Sequence, residues 1–389
     1  MTELRLQRSA VHRIACAVVA SELRRQRGVH YPDVLKDEWA TSTPIGDSGL
    51  GLDSMEQLGA LGALAEAFNL DDSLLSDDPP QTVGAWVSWV MQAQVAGHGR
   101  MTVATSGSTG SPRPCVHDVA DLIAEAAFLA SQFVGRRRVV ALVPAHHLYG
   151  IIWTALLPDA LGVPVVVRAI GAAVGLTAGD LVIAVPEQWQ ALGRIVRRFP
   201  TDVIGVSSAG PLNDSVGAGL LAAGLARLVD IYGSSETGGI AMRNVPASGY
   251  DLLPRWQMSE NGDDDWRLVD RHGRFWDLPD HVERIDGSTL RPLGRRDRAV
   301  QIGGHNVWPE RVANTLRTVD GVADVAVRLH AHGRLKAFVV PYPDRDPAQL
   351  LARIEQLMDT GLVDYERPKS FRFGPTLPRN AMGKLEDWA

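Results

Sequence analysis

Short runs rich in valine and isoleucine alternate with helical patterns between residue 101 and about residue 230. Most of these runs are bounded by glycine or proline, and the strand candidates are residues 139–143, 165–167, 181–185, 203–207 and 228–232. Short, continuously apolar runs are typical of strands that are covered on both faces. The alternation therefore predicts a layered α/β domain, which binds its ligands at the carboxyl ends of the strands.

A glycine- and hydroxyl-rich loop follows the first predicted strand, residues 101–104, and precedes a helical pattern at 119–133. It reads Thr105-Ser106-Gly107-Ser108-Thr109-Gly110-Ser111-Pro112-Arg113. Glycines let the backbone approach a ligand, so that peptide N–H groups and hydroxyls can converge on an anion. We expect a phosphate chain here; an ordinary solvated loop is the alternative on composition alone. No Gly-Lys-Ser/Thr follows, so this is not a Walker loop.

Three polar clusters follow predicted strands. They are Pro144-Ala145-His146-His147-Leu148-Tyr149-Gly150, Ser207-Ser208-Ala209-Gly210-Pro211-Leu212 and Tyr232-Gly233-Ser234-Ser235-Glu236-Thr237-Gly238-Gly239. Each could be an ordinary strand-to-helix turn, and His147 a packed or surface histidine. Glu236 is either an acid at a helix N-terminus or a metal ligand. A carboxylate beside a phosphate site needs a bridging cation, and Mg²⁺ is the expected one.

Charge and cysteine content exclude several classes of protein. The 389-residue chain has a formal net charge of −6 and no basic run, which argues against a nucleic-acid surface. Its length predicts two or three domains. With Cys16 and Cys115 as the only cysteines, neither a disulfide framework nor a Cys-based zinc site is expected. Signal-peptide and membrane-span patterns are lacking, so we expect a cytoplasmic protein.

The first 92 residues carry a separate helical pattern. Residues 8–25 have an apolar face, a long irregular stretch runs from 28 to 52, and further helices are indicated after Asp53 and after Thr82. This pattern predicts an all-α, four-helix bundle. Ser54, at the start of a helix, is either a capping residue or an exposed hydroxyl for covalent modification.

This segment resembles an acyl or peptidyl carrier protein. Gly51-Leu52-Asp53-Ser54-Met55 is similar to the Gly-x-Asp-Ser-Leu motif of carrier proteins, with Met55 in place of leucine. The resemblance implies 4′-phosphopantetheine attached to Ser54. It also implies a phosphopantetheinyl transferase as partner, with a downstream ketosynthase or a separate carrier protein as further candidates.

Residues 101–389 resemble the adenylate-forming superfamily of acyl-CoA synthetases, peptide-synthetase adenylation domains and luciferases. Six motifs occur in the family's order, at 105–113, 232–236, Asp280, 294–297, 303–310 and 378–385. The resemblance implies a truncated adenylation core at residues 101–294 and a small α+β lid at 295–389. A linker at 93–100 would join them to the helical domain.

The same resemblance implies roles for individual residues. Lys384 and Glu236 are the expected catalytic residues, and Glu236 is expected to hold Mg²⁺ beside ATP. Asp297 is the expected hinge, and Gly304 is expected to pass the incoming thiol. The acyl-pocket candidates are His147, Tyr149 and Gly150, with residues 151–153 behind them. The residues expected to bind ATP are Thr105, Ser106, Gly107, Ser108, Thr109, Gly110, Arg113, Ser208, Ala209, Gly210, Tyr232, Gly233, Ser234, Ser235, Asp280 and Arg295.

The chain also departs from the family pattern. Arg113 replaces a lysine, which keeps the charge but changes the donor geometry, and Asn306 stands where many members have arginine. The family's N-terminal subdomain is missing, so part of the acyl-pocket wall is expected to be absent or supplied differently. No aspartate that could hold an α-ammonium group lies in residues 144–153, which favours aryl or fatty acids over amino acids.

The last ninety residues contain strand patterns at 300–308, 322–329 and 335–340 and helical patterns at 309–318 and 347–359. Two histidines in His330-Ala331-His332-Gly333 lack a third ligand, so a hairpin turn is favoured over a metal site.

Three functions remain in competition. The leading one is an ATP-dependent ligase that adenylates a carboxylic acid and loads it onto a carrier protein's pantetheine thiol, its own carrier domain included. The second is a coenzyme A ligase whose helical domain is a relic or a docking module. The third is a non-catalytic protein with a decayed ATP site; intact Glu236, Asp280 and Lys384 speak against it.

Overall fold

The computed structural model describes residues 5–28, 38–70, 79–95, 99–105, 113–170, 175–262, 265–343, 345–379 and 385–388. The chain divides into two compact units. The first comprises Met1–Thr105, Pro114–Asp277 and Glu283–Arg291; the second comprises Ser106–Arg113, Leu278–Val282 and Pro292–Ala389. The first unit therefore contains both the N-terminal helices and the α/β core.

The N-terminal segment is helical, as predicted, and it packs on the core of its unit. Its helices are α1 (Arg8–Arg27), α2 (Ser54–Phe68) and α3 (Val83–Val95). α1 contacts α2, α3 and the π-helical stretch Ile151–Leu156 of the core, and Ser9 Oγ donates a hydrogen bond to Asp159 Oδ1 at 2.8 Å. The described residues of this segment form no fourth helix, so the four-helix carrier bundle is not confirmed.

Helix α2 begins with a reciprocal capping box. The Asp53 carboxylate accepts a hydrogen bond from the Glu56 N–H at 2.8 Å, and the Glu56 carboxylate accepts one from the Asp53 N–H at 3.1 Å. Asp53 is thus the cap, and Ser54 is the first helical residue with an exposed side chain. Two apolar neighbours on the same helix are also exposed, Met55 by 72% and Leu58 by 63%.

The core of the first unit is a layered α/β structure, as the alternating pattern predicts. Its last two strands, β13 and β14, include residues of the second unit. In chain order the elements are β1 (Arg100–Thr105), β2 (Arg113–Asp118), α4 (Val119–Ser131), β3 (Arg138–Ala141), α5 (Leu148–Gly150), α6 (Leu157–Leu161), β4 (Val165–Val167), β5 (Asp180–Ala184), α7 (Pro186–Ile195), β6 (Ile204–Ser207), α8 (Asp214–Ala222), β7 (Arg227–Ser234), β8 (Gly238–Asn244), β9 (Tyr250–Leu252), β10 (Trp256–Glu260), β11 (Trp266–Asp270), β12 (Phe275–Asp277), β13 (Asp280–Arg284) and β14 (Thr289–Arg295).

The main sheet has the strand order β13-β14-β9-β8-β7-β6-β5-β3-β4. Strands β3 to β7 pair in parallel, and β8 returns antiparallel to β7. Leu181, Val182 and Ile183 of β5 are fully buried, because helices cover both faces of a parallel sheet. The carboxyl ends of β5, β6 and β7 consequently lie at one edge, and two of the three predicted clusters follow β6 and end β7.

A separate antiparallel sheet of β10, β11 and β12 is organised around Asp270, at the end of β11. Its carboxylate accepts hydrogen bonds from the N–H of His272 (2.8 Å), from the N–H and Nε of Arg274 (3.0 and 2.7 Å) and from Trp276 Nε1 (3.1 Å). Burial acts to raise the pKa of Asp270, but these donors hold it well below its usual value.

Replacing Asp270 by asparagine is expected to lower the free energy of unfolding at pH 7 by about 2 kcal/mol, the scale of hydrogen bonds to a charged group. Because the folded pKa is depressed, the stabilisation is present above the unfolded pKa of about 4 and is lost as the pH falls through the folded value. Urea unfolding at pH 7 and at about pH 2 measures this, and the difference between variant and wild type should be smaller at the acid pH. Asp277→Asn, an exposed position on β12, is the control; an equal loss at both pH values would contradict the prediction.

The rest of the second unit forms the small α+β domain that the sequence predicts. Its elements are β15 (Val300–Ile302), β16 (His305–Val307), α9 (Pro309–Arg317), β17 (Val322–Leu329), β18 (Leu335–Pro341), α10 (Pro347–Gly361) and β19 (Ser370–Phe373). β17 and β18 form the predicted hairpin, with residues 330–333 as its turn and Gly333 at φ 77°. α9 and α10 cover the sheet with Val312, Leu316 and Ile354, all fully buried.

None of the helices in the described ranges combines the length and the apolar character that crossing a bilayer requires. Cys16 and Cys115 are both free thiols.

Candidate active site

The ends of β6 and β7 bring two predicted clusters together. Ser207 pairs with Asp230 across the two strands, and Ser208 Oγ donates a hydrogen bond to the Ile231 carbonyl at 2.9 Å. Ala209, at φ 65°, turns the chain away in the left-handed region. The predicted ATP-binding residues 208–210 therefore lie beside the start of the cluster at 232–236.

The turn after β7 is held by the hydroxyl of Ser234. Its Oγ accepts hydrogen bonds from the N–H groups of Glu236 and Thr237, both at 3.2 Å, and lies 3.0 Å from Thr237 Oγ1. The Ser234 hydroxyl is thus hydrogen-bonded within the turn, while the Glu236 side chain is exposed to solvent. A fixed turn with an outward carboxylate suits a residue that meets a ligand from solution.

β2 lies against this turn, a contact that no local sequence pattern predicts. His117 Nε2 is 2.8 Å from the Ser235 carbonyl oxygen, so this nitrogen carries the proton. Burial lowers the pKa of His117, which keeps the ring neutral near pH 7. The signal available in the sequence was a histidine two residues before the helix that follows the glycine-rich loop.

Cys115 shares β2 with His117. Burial, with the negative charge of Glu236 as the second cause, raises the pKa of this thiol to about 11, so Cys115 stays protonated and is a poor nucleophile. The strand that leaves the glycine-rich loop therefore passes the Glu236 turn. The predicted phosphate-binding residues of that loop lie outside the described residues; they are Ser106, Gly107, Ser108, Thr109 and Gly110. The side chain of Thr105 and the whole of Lys384 also lie outside them.

A buried polar network supports Tyr232. Its ring meets the ring of Tyr250 edge-on, with centroids 6.1 Å apart, and Tyr250 donates a hydrogen bond to Asp230 Oδ2 at 2.6 Å. Arg243 Nε donates to the same oxygen at 3.1 Å. Burial raises the pKa of Asp230 to about 6, against the opposing effect of Tyr250 and Arg243. No local pattern points to Asp230, Arg243 and Tyr250, because Arg243 and Tyr250 are 13 and 20 residues from Asp230 in the chain.

The acyl-pocket candidates lie in different environments. His147 is exposed, with its ring 4.1 Å from that of His146. The Tyr149 hydroxyl is shared between the carbonyl oxygens of Ala184 and Val206, at 3.2 and 3.1 Å, and Gly150 packs so closely on Pro144 that an added Cβ would lie 1.9 Å from its carbonyl oxygen. Residues 151–153 are buried core, 1–2% exposed, so they do not line an open pocket.

A cavity of about 50 Å³ lies next to the cluster at 144–150. The N-terminal segment supplies one wall with Cys16 and Trp39, and the core supplies the other with Val143, Pro144 and Ala145. The N-terminal segment thus reaches the neighbourhood of the cluster that contains the predicted acyl-pocket residues.

Three predicted site residues of the second unit, Asp280, Arg295 and Asp297, lie on two segments that contact each other. Asp280 is buried, and its carbonyl accepts a hydrogen bond from Arg296 Nε at 3.2 Å. Arg295 forms a bidentate ion pair with Asp297, at 3.0 and 2.7 Å. Burial acts to raise the pKa of Asp297, but Arg295 and the Ala299 N–H lower it overall. The next residue, Arg298, has φ 57°, so the predicted hinge has an unusual backbone.

Gly303 and Gly304 form the two-residue turn between β15 and β16. Ile302 pairs with His305 across it, and the glycines have φ of 57° and 82°. Such a hairpin turn requires positive φ at both positions, which glycine adopts without strain. The geometry explains why glycines stand here; a role of Gly304 in passing the thiol stays a prediction.

The chain on either side of Lys384 is anchored within the second unit. Arg379 and Leu385 form an antiparallel bridge, and the Leu385 carbonyl accepts a hydrogen bond from Arg328 at 2.7 Å. Farther on, Trp388 is buried against Phe338, with ring centroids 5.8 Å apart. The tail is therefore fixed one residue after Lys384.

The donor set fits Mg²⁺ held jointly by protein and nucleotide. Among the residues that the structure describes, no three His, Cys, Asp or Glu side chains form a cluster that could hold a metal by themselves. Magnesium is commonly bound by one or two carboxylates with phosphate oxygens and water completing the shell. The exposed carboxylate of Glu236 can supply that protein ligand.

Comparisons with known proteins show the family of the chain. Residues 100–293 match the family model described as AMP-binding enzyme, and residues 311–384 match the AMP-binding enzyme C-terminal domain. The chain is 35% identical to a 4-coumarate–CoA ligase of Halorhodospira halophila, covering 98% of this chain and 99% of that protein. It is 36% identical to a 4-coumarate–CoA ligase of Rhodobacter capsulatus, covering 97% and 100%.

Solved structures share the fold at lower identity. The o-succinylbenzoate CoA synthetase of Bacillus subtilis superposes with a TM-score of 0.59 at 19% identity, covering 73% of this chain and 67% of that one. The amide bond synthetase McbA of Marinactinospora thermotolerans gives 0.57 at 20% identity, covering 75% and 68%. With its strand-end clusters, its outward Glu236 and relatives that match it over nearly its whole length, the chain belongs to the AMP-binding enzyme family of the adenylate-forming superfamily and is an AMP-forming acid–thiol ligase.

Proposed function

We propose that the enzyme activates an aromatic carboxylic acid as an acyl-AMP anhydride and transfers the acyl group to coenzyme A. The observation that carries the choice of acceptor is the packing of α1 on the core, with Ser9 hydrogen-bonded to Asp159. A segment that packs on the ligase core in this way is expected to act as part of the ligase and not as a separate carrier domain. The relatives named 4-coumarate–CoA ligase, which span 97–98% of the chain, support an acid of the hydroxycinnamate class.

In the first half-reaction a carboxylate oxygen of the acid attacks the α-phosphorus of ATP, and the bond to pyrophosphate breaks. Negative charge grows on the phosphate oxygens, so the site must supply fixed donors and positive charge. We assign this role to the loop at 105–113, to Arg113 and to Lys384. Glu236 holds Mg²⁺, which neutralises phosphate charge when bound.

In the second half-reaction the thiol sulfur attacks the acyl carbon and loses its proton, and the bond from that carbon to AMP breaks. The products are a thioester and AMP. We assign the path of the thiol to Gly304 and the hinge between the two half-reactions to Asp297.

The cavity walled by Cys16 and Trp39 supports a further assignment, in which the N-terminal segment replaces the missing part of the acyl-pocket wall.

A second candidate function rests on Ser54. Its exposed hydroxyl at the start of α2, beside exposed Met55 and Leu58, is accessible to a phosphopantetheinyl transferase. In this candidate a 4′-phosphopantetheine arm on Ser54 accepts the acyl group in place of coenzyme A.

Incubation with ATP, Mg²⁺, coenzyme A and a panel of acids separates these candidates. We expect the rates of ATP–pyrophosphate exchange and of CoA-thioester formation with 4-hydroxycinnamate to be about tenfold or more above those with decanoate. The reason is that a pocket shaped for an aromatic ring discriminates against an acid of another shape by about 1–3 kcal/mol. Ser54→Ala should leave both rates unchanged. Absence of exchange with every aryl acid would overturn the proposed substrate class.

Mass spectrometry after treatment with a phosphopantetheinyl transferase tests the second candidate. A pantetheine adduct on the wild type that then gains the mass of the acyl group, and is absent from Ser54→Ala, would replace coenzyme A by the carrier arm as the acceptor. An unmodified wild type that still forms CoA thioester supports the first proposal.

A further inference from the structure

Gly239, three residues after Glu236, has both of its backbone hydrogen-bonding groups engaged by side chains. Its N–H donates to Glu125 Oε1 of α4 at 2.9 Å. Its carbonyl accepts a hydrogen bond from Trp256 Nε1 of β10 at 2.7 Å. The two side chains come from elements on different parts of the first unit, 114 and 17 residues from Gly239 in the chain.

The two contacts lie at an irregularity in the β7–β8 ladder. Gly233 pairs with Gly239, but Tyr232 pairs with Ala241, so Ile240 is an extra residue on β8. A bulge of this kind bends its strand and leaves backbone groups without ladder partners. Here Glu125 and Trp256 supply those partners, next to the turn that carries Glu236.

The glycines at this point are required by the approach of Glu125. A Cβ at Gly239 would lie 2.6 Å from Glu125 Oε1, and one at Gly238 would lie 2.8 Å from Glu125 Oε2. Gly238 also has φ 73°, which a side chain would strain. The sequence Thr237-Gly238-Gly239 therefore serves to admit the carboxylate.

A third residue joins the two clamping side chains. Arg255 Nη1 donates to Glu125 Oε2 at 3.2 Å, and its guanidinium lies over the Trp256 ring, 4.5 Å from the centroid. Glu125 is only 5% exposed, and burial raises its pKa to about 7, against the opposing effect of Arg255. Placing a carboxylate in so buried a position costs free energy, yet the reaction steps themselves have no use for it.

We propose that Glu125 and Trp256 are positioning residues that clamp Gly239 and thereby fix the Glu236 carboxylate where the metal of bound ATP requires it. His117 contacts the same turn before Glu236, through the Ser235 carbonyl, so the turn is restrained on both sides of Glu236 in the chain. The inference rests on the proposed role of Glu236 in holding Mg²⁺.

Trp256→Phe tests the clamp, because it removes the indole N–H and keeps an aromatic ring. We expect ATP binding measured by calorimetry with Mg²⁺ to weaken about fivefold, the scale of one hydrogen bond, and binding without Mg²⁺ to stay unchanged. Hydrogen exchange of peptides covering residues 233–241 should become faster. Trp276→Phe is the matched control. It keeps an aromatic ring against Trp256, where the two rings meet edge-on with centroids 6.1 Å apart, and it removes the indole bond to Asp270, which does not involve Gly239.

Glu125→Gln is the conservative partner variant. Its amide oxygen can still accept a hydrogen bond from the Gly239 N–H, so the affinity for ATP with Mg²⁺ should remain within about twofold of the wild type. Glu125→Ala removes that acceptor and should weaken the affinity about fivefold, as Trp256→Phe does. If Trp256→Phe matches Trp276→Phe in affinity and in exchange, the clamp is wrong. If the wild type itself binds ATP equally with and without Mg²⁺, the role of Glu236 fails, and this inference fails with it.

Discussion

Replacing Lys384 by alanine is expected to slow acyl-AMP formation by about 10²–10³-fold, the loss measured when one preorganised donor to a developing oxyanion is removed. The reason is that its ammonium group is the proposed partner of the substrate carboxylate and the α-phosphate oxygens. ATP–pyrophosphate exchange with a saturating aryl acid measures the effect. Thioester formation from supplied acyl-AMP and coenzyme A should be retained, because the α-phosphate has already reacted.

Lys369→Ala is the matched control for Lys384. Lys369 belongs to the same unit and forms an ion pair with Asp364 at 2.7 Å, but both side chains are nearly half exposed. Exchange by this variant should equal that of the wild type. A Lys384→Ala enzyme with normal exchange would remove the residue from the first half-reaction, and with it the assignment of the second unit as a catalytic lid.

Replacing Arg243 by methionine is expected to cost about 3–5 kcal/mol of unfolding free energy, because it leaves the Asp230 carboxylate buried without its charged partner. Both side chains are buried, at 7% and 3% exposure, and Arg243 also binds the carbonyl oxygens of Ala247 and Leu212. Urea unfolding at pH 7 measures the loss. Adding Asp230→Asn should recover part of it by removing the unpaired charge.

Arg291→Met provides the comparison for Arg243. Its ion pair with Glu283, at 2.9 Å, is 43% and 51% exposed, so the loss should be about 1 kcal/mol or less. Equal losses in the two variants would mean that burial does not set the strength of the Asp230–Arg243 pair. ATP affinity should also weaken in Arg243→Met alone, since Tyr250 connects this pair to Tyr232.

The N-terminal segment shows what a local signal predicts and what it leaves open. The apolar periodicity of residues 8–25 predicts a helix, and α1 (Arg8–Arg27) is that helix. The same periodicity predicts a buried face without saying what covers it. The resemblance to a carrier protein supplied a bundle as the cover, whereas α1 also packs on the core stretch Ile151–Leu156 of its own unit.

The contacts of Tyr149 likewise depend on the tertiary structure, and its role in the acyl pocket stays a prediction. Its place in a polar cluster after a strand favoured a role in the acyl pocket. In the structure its hydroxyl is shared by two carbonyl oxygens at the ends of β5 and β6. Those acceptors are 35 and 57 residues away in the chain, so no local pattern could assign them.

Local sequence by itself determined the buried strands of the sheet and the histidine turn before Gly333, because periodicity and backbone freedom act over only a few neighbouring residues. The pattern at 300–308 predicts one strand, whereas in the structure the glycines at 303 and 304 divide it into β15 and β16. Tertiary structure alone decided the seating of β2 on the Glu236 turn, the Asp230–Arg243–Tyr250 network and the clamp on Gly239. Each of those depends on side chains that fold topology brings together from distant parts of the chain, and their stability comes from burial that a linear sequence does not reveal.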